Sequence, residues 1–282
     1  MTLTERSSIV VRRLENAPPA AAKLLAAQGW NFTTGDLETL HELGGGVGAF
    51  AERDDRLVGY LSFVDSPPVR WVGNVVVDEA ARGQGVGSRL VEACLGELPT
   101  VGLYSVERAV GLYRRLGFVG DDAVWMLTAD KLDASALEAS PDLSPRPAES
   151  ADLRAIARFD AEHVGFDRTV LLSSLIARFD VRIVHEDDRI VGYGVAKPYG
   201  DITEIGPLVA SSAEVADTLL SALIAASPGP YEVGVHAGAT WAMSRFEQLG
   251  LRRAFRTLAM FRGPAPDWHL PTYVATAGME KS

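Results

Sequence analysis

Cysteine is almost missing from this chain of 282 residues: Cys94 is the only one. No intrachain disulfide can form, and no thiolate cluster can hold a metal. Cys94 itself falls in an apolar helical pattern with Leu90, Val91 and Leu95, and reads as a small core residue rather than a nucleophile. His163, His185, His236 and His269 are scattered without ligand spacing, so no metal site is expected. Long apolar runs are missing too. Nothing approaches the ~20 residues of a membrane span, and the opening Met1-Thr2-Leu3-Thr4-Glu5-Arg6-Ser7 lacks the apolar core of a secretion signal. A soluble, cytoplasmic protein is the expectation. Positive charge is also short, with 27 Lys and Arg against 37 Asp and Glu and a net charge of −10. Such a surface repels phosphate backbones and anionic lipid, so neither nucleic acid nor membrane is expected as a partner. It is compatible with an amine-bearing substrate, but solubility alone is the plainer account.

What is present is enough apolar material, 47% of residues, for two ordinary domains. The periodicity runs as a series. A strand at residues 9–14 is followed by helices at 18–28 and 36–43, the second stopped by the Gly44-Gly45-Gly46 run. A hairpin follows (47–52 and 57–64, turning at Asp54-Asp55), then a strand at 69–77 whose end, Val75-Val76-Val77, is apolar on consecutive positions. A glycine-rich loop leads to a helix at 86–98, a strand at 101–104, a helix at 107–116 and a strand at 124–128. Residues 129–147 carry Ser135, Ser140, Pro141, Ser144, Pro145 and Pro147 and read as a linker.

The order then repeats through residues 150–261, and Arg56-Leu57-Val58-Gly59-Tyr60 is echoed by Arg189-Ile190-Val191-Gly192-Tyr193. The chain therefore reads as an internal duplication of a mixed α/β (α+β) unit, with domains at 1–130 and 148–282 joined by a linker at 131–147.

The loop Arg82-Gly83-Gln84-Gly85-Val86-Gly87 joins a buried strand to an amphipathic helix. Glycines at φ > 0 let successive backbone N–H groups turn toward one anion, and a helix N-terminus adds about half a positive charge there. Arg82 can supply a full one. Val86 and Ser88 continue into the helix. The result suits a pyrophosphate. A P-loop requires a Gly-Lys-Ser/Thr ending, and no Lys is present; the glycine spacing does not match a dinucleotide fold either.

The pattern Arg82-x-x-Gly85-x-Gly87 resembles the coenzyme A loop of the GNAT superfamily of N-acetyltransferases. Leu112-Tyr113-Arg114-Arg115-Leu116-Gly117-Phe118 resembles a second signature of that family. The resemblance implies a twisted mixed sheet flanked by helices, its fourth and fifth strands splayed where pantetheine enters. It implies that Val75, Val76 and Val77 pair with the pantetheine amides. The N–H groups of Arg82, Gly83, Gln84, Gly85, Val86, Gly87 and Ser88 would hold the pyrophosphate, with Tyr113 near the thioester sulfur as general acid. Acetyl-CoA is then the cosubstrate and an amine the acceptor, attacked directly, without a metal. A non-catalytic acyl-CoA sensor or scaffold is the alternative. The family's frequent asparagine seven residues before the tyrosine is Val106 here, and Ser105 could take over its hydrogen bond. Asp65, Glu107 and His41 could serve as bases by chemistry alone; none stands out.

The second half resembles a degenerate GNAT domain. It lacks the glycine loop after Val209, has Phe246 where Tyr113 stood, and offers Ser211 and Ser212 as helix caps. Its expected role is to shape the acceptor pocket or a homo-oligomer interface. The aromatic tail of residues 263–282 is expected to lie across this half and bury Trp268. A chain cut near Ser140 is expected to keep its cofactor site, provided the cut exposes no large apolar face.

Overall fold

The computed structural model describes residues 8–30 and 32–280. The first half contains β1 (Ile9–Leu14), α1 (Pro19–Ala26), α2 (Thr34–Leu43), β2 (Gly44–Ala51), β3 (Arg56–Ser66), β4 (Val69–Val77), α3 (Val86–Cys94), β5 (Thr100–Val106), α4 (Val110–Arg115) and β6 (Val119–Ala129). The second contains β7 (Arg146–Pro147), α5 (Leu153–Val164), α6 (Thr169–Arg178), β8 (Asp180–Glu186), β9 (Arg189–Tyr199), β10 (Ile202–Ala210), α7 (Ala213–Ala226), β11 (Tyr231–His236), α8 (Thr240–Gln248), β12 (Arg252–Arg262) and β13 (Tyr273–Ala275).

Two of the boundaries that differ from the sequence reading do so for clear physical reasons. The triple-glycine run does not merely stop α2; it opens β2, because Gly44, Gly45 and Gly46 find ladder partners in Val64, Phe63 and Ser62. Helix α3 stops at Cys94 rather than residue 98, where the Arg70 guanidinium donates to the Cys94 carbonyl at 2.6 Å and fixes the turn. The linker is held down as well. The Glu138 and Ser140 amides donate to Asp217 and Thr218 on α7.

The duplicated mixed α/β plan holds, and the two sheets join into one. The strand order is β1-β2-β3-β4-β5-β12-β6-β11-β10-β9-β8-β7, with β13 beside β10. Each half is closed by a strand of the other. β12 pairs with β5 from Thr257↔Val106 to Arg262↔Val101, and β6 pairs with β11 from Ala129↔Tyr231 to Val124↔His236. The two exchanged strands also pair with each other in the middle. Helices cover both faces, and α3 buries Val86, Leu90, Val91 and Cys94 against the sheet of the first half.

In each half one parallel strand pair comes apart. β4 and β5 are in register from Val69↔Thr100 to Val72↔Leu103 and no further. Asn74, at φ 55°, bends β4 away and is held by a hydrogen bond from its Nδ2 to Ser62 Oγ at 3.1 Å. In the second half β10 and β11 pair only at Thr203↔Tyr231 and Glu204↔Glu232. There the gap is filled by the chain's own tail. β13 pairs with β10 at Leu208↔Ala275 and Val209↔Tyr273, and the Thr276 amide donates to Gly234 O at 2.8 Å on the β11 side. Gly206 permits this approach, since a Cβ there would stand 2.1 Å from Thr276 O. Upstream, Trp268 packs against His236, Phe261 and Tyr273, so the tail lies on the second half as its aromatic content implies. Downstream it crosses to the first half, where Gly73 leaves room for Glu280 Cα, 2.6 Å from where a Cβ would be.

A buried ion pair secures the tail. Arg168 and Asp160 are both fully buried and joined by two hydrogen bonds of 2.9 and 2.6 Å, while Arg168 also donates to the hydroxyls of Tyr193 and Tyr273. Removing one partner of such a pair strands a charge in low dielectric and costs about 3–5 kcal/mol. Arg168→Met should show a loss of that size in urea unfolding, and most of it should return when Asp160→Leu is added.

The exchanged strands decide the fate of the shortened chain. A cut at Ser140 removes β12 from between β5 and β6 and bares the apolar residues Ala259, Met260 and Phe261 contact. Such a chain should aggregate or lack a cooperative thermal transition. A soluble fragment that melts sharply would show that the first half closes without β12.

Candidate functional site

The gap between β4 and β5 is where the sequence-derived site assembles. Beyond Val72, β5 is engaged by β12, while β4 runs on to Val77 paired only with β3. The edge of β4 that faces β5 is thus left open along Val75, Val76 and Val77. After a single 3₁₀ turn (Glu79–Ala81) the chain reaches Gly83 at φ 74° and Gly85 at φ 77°. Gly85 is the N-cap of α3, and no side chain caps it. The first N–H groups of α3 therefore point out at the end of the gap, at the positive pole of the helix. Arg82 is positioned by hydrogen bonds from its Nε to Val77 O (3.2 Å) and from its Nη2 to Gln28 Oε1 (2.8 Å). Gln84 reaches back to the Ala80 carbonyl, which shapes the loop.

A cavity of about 480 Å³ follows this edge, lined by Val75, Val76, Val77, Arg82, Gly87 and Tyr113, with Arg108, Arg115, Gln28 and Trp30 around them. Three arginines and no carboxylate line it. In a chain of net charge −10 that is a local reversal, suited to a polyanion. Gly83, Gln84, Gly85 and Ser88 belong to the same loop and helix start without lining the cavity.

Tyr113 is 6% exposed on α4 and packs edge-on to Phe118. Burial, and then the nearby Cys94 thiol, push its phenol well above the ordinary range, so it stays protonated through neutral pH. Cys94 is buried and its thiol is pushed up to about 12, in keeping with a core residue.

A second cavity, of about 350 Å³, shares Trp30, Val75, Arg108, Ala109 and Tyr113 with the first. Its far side belongs to the second half and the tail: Ile202, Glu204, Glu232, Phe255, Thr257, Met279 and Glu280. The aromatic rings of Phe32 and Tyr104 also line it. The Tyr104 hydroxyl lies 3.2 Å from His236 Nε2, and burial holds that imidazole down to about 3, hence neutral. Glu204 and Glu232 are direct partners on β10 and β11. Burial, and then the Glu204 carboxylate, raise the Glu232 carboxyl above its usual range.

The other sequence candidates lie elsewhere. Asp65 is bound to Arg70 at 2.6 and 2.7 Å, His41 faces the Tyr60 hydroxyl at 3.1 Å, and Glu107 lies 3.6 Å from Arg256. Val106 lines the smaller cavity, whereas Ser105 is buried with its hydroxyl given to the Val106 carbonyl. Ser212 caps α7, accepting from the Val215 amide, and Phe246 is fully buried. Among the described residues no group of side chains could hold a metal ion, and no helix is long and apolar enough to cross a membrane. Sequence reasoning missed Glu204, Glu232 and Glu280. For the first two the available signal was a carboxylate inside an otherwise apolar strand, Thr203-Glu204-Ile205 and Tyr231-Glu232-Val233.

Comparison with known proteins agrees with this geometry. The acetyltransferase (GNAT) family profile matches residues 18–118, and an acetyltransferase (GNAT) domain profile matches residues 156–270. The chain is 24% identical over 215 residues to YitH of Bacillus subtilis, described as an uncharacterized N-acetyltransferase, covering 73% of this chain and 75% of that protein. A putative acetyltransferase from Pyrococcus horikoshii has the same fold at a TM-score of 0.79 and 18% identity, with 100% of this chain and 98% of that one covered. A tandem GNAT protein from the clavulanic acid biosynthesis pathway aligns at a TM-score of 0.62 and 13% identity, over 92% and 100% of the two chains. With one such domain in each half, the chain belongs to the GNAT acetyltransferases and is a tandem member of that family.

Proposed function

We propose that this protein transfers the acetyl group of acetyl-CoA to an amine, using one cofactor site per chain in the first half. The observation that carries this reading is the open edge of β4, running from Tyr113 past Val75, Val76 and Val77 to the uncapped start of α3 beside Arg82. Acetyl-CoA supplies the activated acyl group as a thioester. The free edge of β4 offers N–H and C=O groups to the pantetheine amides, and a backbone N–H there can stabilise the oxyanion. The N–H groups of residues 82–88, with Arg82, neutralise the pyrophosphate. Tyr113 stands where both cavities meet and holds its proton at neutral pH, so it can donate to the departing sulfur. Among the described residues the corresponding gap of the second half is filled, because β13 pairs with β10 there.

Calorimetry with coenzyme A should give one site per chain; two equivalent sites would contradict the assignment. Gly85→Glu should abolish binding by setting a carboxylate in the pyrophosphate seat. Gly85→Ala, which strains φ but leaves the space open, should retain most of the affinity. A folded G85E protein with unchanged affinity would move the site elsewhere.

Tyr113→Phe removes one hydroxyl and little packing. It should lower turnover by about 10²-fold or more while coenzyme A binding changes only a few-fold. A comparably small loss of turnover would show that solvent protonates the thiolate. A protein that binds acetyl-CoA yet releases no thiol with any amine would be the acyl-CoA sensor instead.

A further inference from the structure

The cavity that adjoins the acyl site is lined by three carboxylates, Glu204, Glu232 and Glu280, of which Glu232 lies on β11, one strand nearer the first half than Glu204 on β10. Glu204 and Glu232 are paired side by side on adjacent strands. A like-charge cross-strand pair destabilises a sheet. Lys197, Glu204, Glu232 and Thr128 form one transverse row across β9, β10, β11 and β6. Lys197, 3% exposed, binds Glu204 at 2.7 Å and also donates to the Ala277 carbonyl. It therefore offsets one carboxylate and fastens the tail. That tail brings a third carboxylate: Glu280 and Glu204 both come within 3.1 Å of the point a Cβ on Gly278 would occupy. The remaining charged residue of the lining is Arg108, which the cavity shares with the arginine-lined cleft. Trp30, Phe32, Tyr104 and Phe255 add aromatic surface to the lining. Aromatic faces over a carboxylate floor favour cations. At about 350 Å³ the space lies at the small end of ligand pockets, which run from roughly 300 to 1,000 Å³.

Resting on the acetyl-transfer reading above, we infer that the acceptor is a small amine carrying a second positive charge. Glu232 takes the proton from its attacking nitrogen, and Glu204 with Glu280 seats the distal cation. In the step that follows, one ammonium proton passes to the Glu232 carboxylate and the freed nitrogen pair forms the N–C bond. The C–S bond breaks, and its electron pair leaves on sulfur. The nitrogen's second proton balances the one Tyr113 gives to the thiolate, and the proton on Glu232 returns to solvent. Free acid Glu232 cannot act, so the rate should rise with pH through a value above the ordinary carboxylate ~4.3.

The test uses the full chain loaded with coenzyme A and three probes: a linear four-carbon diamine, the monoamine of equal length, and the amino acid with a carboxylate in place of the second amine. Calorimetry should show the diamine binding at least about tenfold tighter than the monoamine, and the amino acid weakest. Glu280→Gln should bring the diamine close to the monoamine without changing coenzyme A affinity. Glu232→Gln should lower kcat and remove the ascending limb of the pH–rate profile, with diamine affinity kept within a few-fold. Monoamine binding as tight as diamine binding would overturn the acceptor class, even if the monoamine is acetylated and the proposed function stands. Tight diamine binding without thiol release from acetyl-CoA would instead overturn the proposed function and leave the acceptor class. An unchanged profile in E232Q would remove Glu232 from the proton path.

Discussion

The structure turns on what β5 is paired with. Past Leu103 it could follow β4, as a parallel partner, or leave it. The two part because β4 bends at Asn74, while β5 stays in line with β12 on its other edge from Arg262↔Val101 to Thr257↔Val106. β4, bent at Asn74, is left with one free edge. A backbone edge left unpaired inside a protein is a cost unless something else satisfies it. In the first half the free edge faces an arginine-lined cleft. In the second half the corresponding edge is satisfied by the tail through β13. One device, a parallel pair that opens, has been put to two uses in a single sheet.

The exchange of closing strands also decides which residues meet. Because β6 and β12 join the two sheets at the centre, residues of both halves line one cavity, with Glu204 and Glu232 of the second half and Tyr113 of the first among them. The two adjoining cavities then differ in charge, with arginines along one and glutamates along the other. Tyr113, Val75 and Trp30 form the wall between them. Charge of each sign is gathered where a ligand of the other sign would neutralise it, and the overall excess of acid says little about either place.

The buried Arg168–Asp160 pair ties this arrangement to stability. By holding Tyr273 it fixes the strand that fills the second gap, and with it the run of chain that carries Met279 and Glu280 to the first. The tail serves as plug at one point and wall at another.

Much of the fold could be read from the residues: the duplicated series of helices and strands, the loop at Arg82, Gly83, Gln84, Gly85, Val86 and Gly87, the strand end at Val75, Val76 and Val77, and Tyr113 on its helix. These are local patterns, set by periodicity and by glycine's access to φ > 0, and the arginine-lined cleft is built wholly from segments of the first half. Hidden from the sequence were the exchange of β6 and β12, the tail in the second gap, and the meeting of Glu204, Glu232 and Glu280. Each depends on pairings between residues far apart along the chain. An apolar strand carries no mark of which neighbour it will choose, so only the tertiary structure decided where the acidic half of the site would lie.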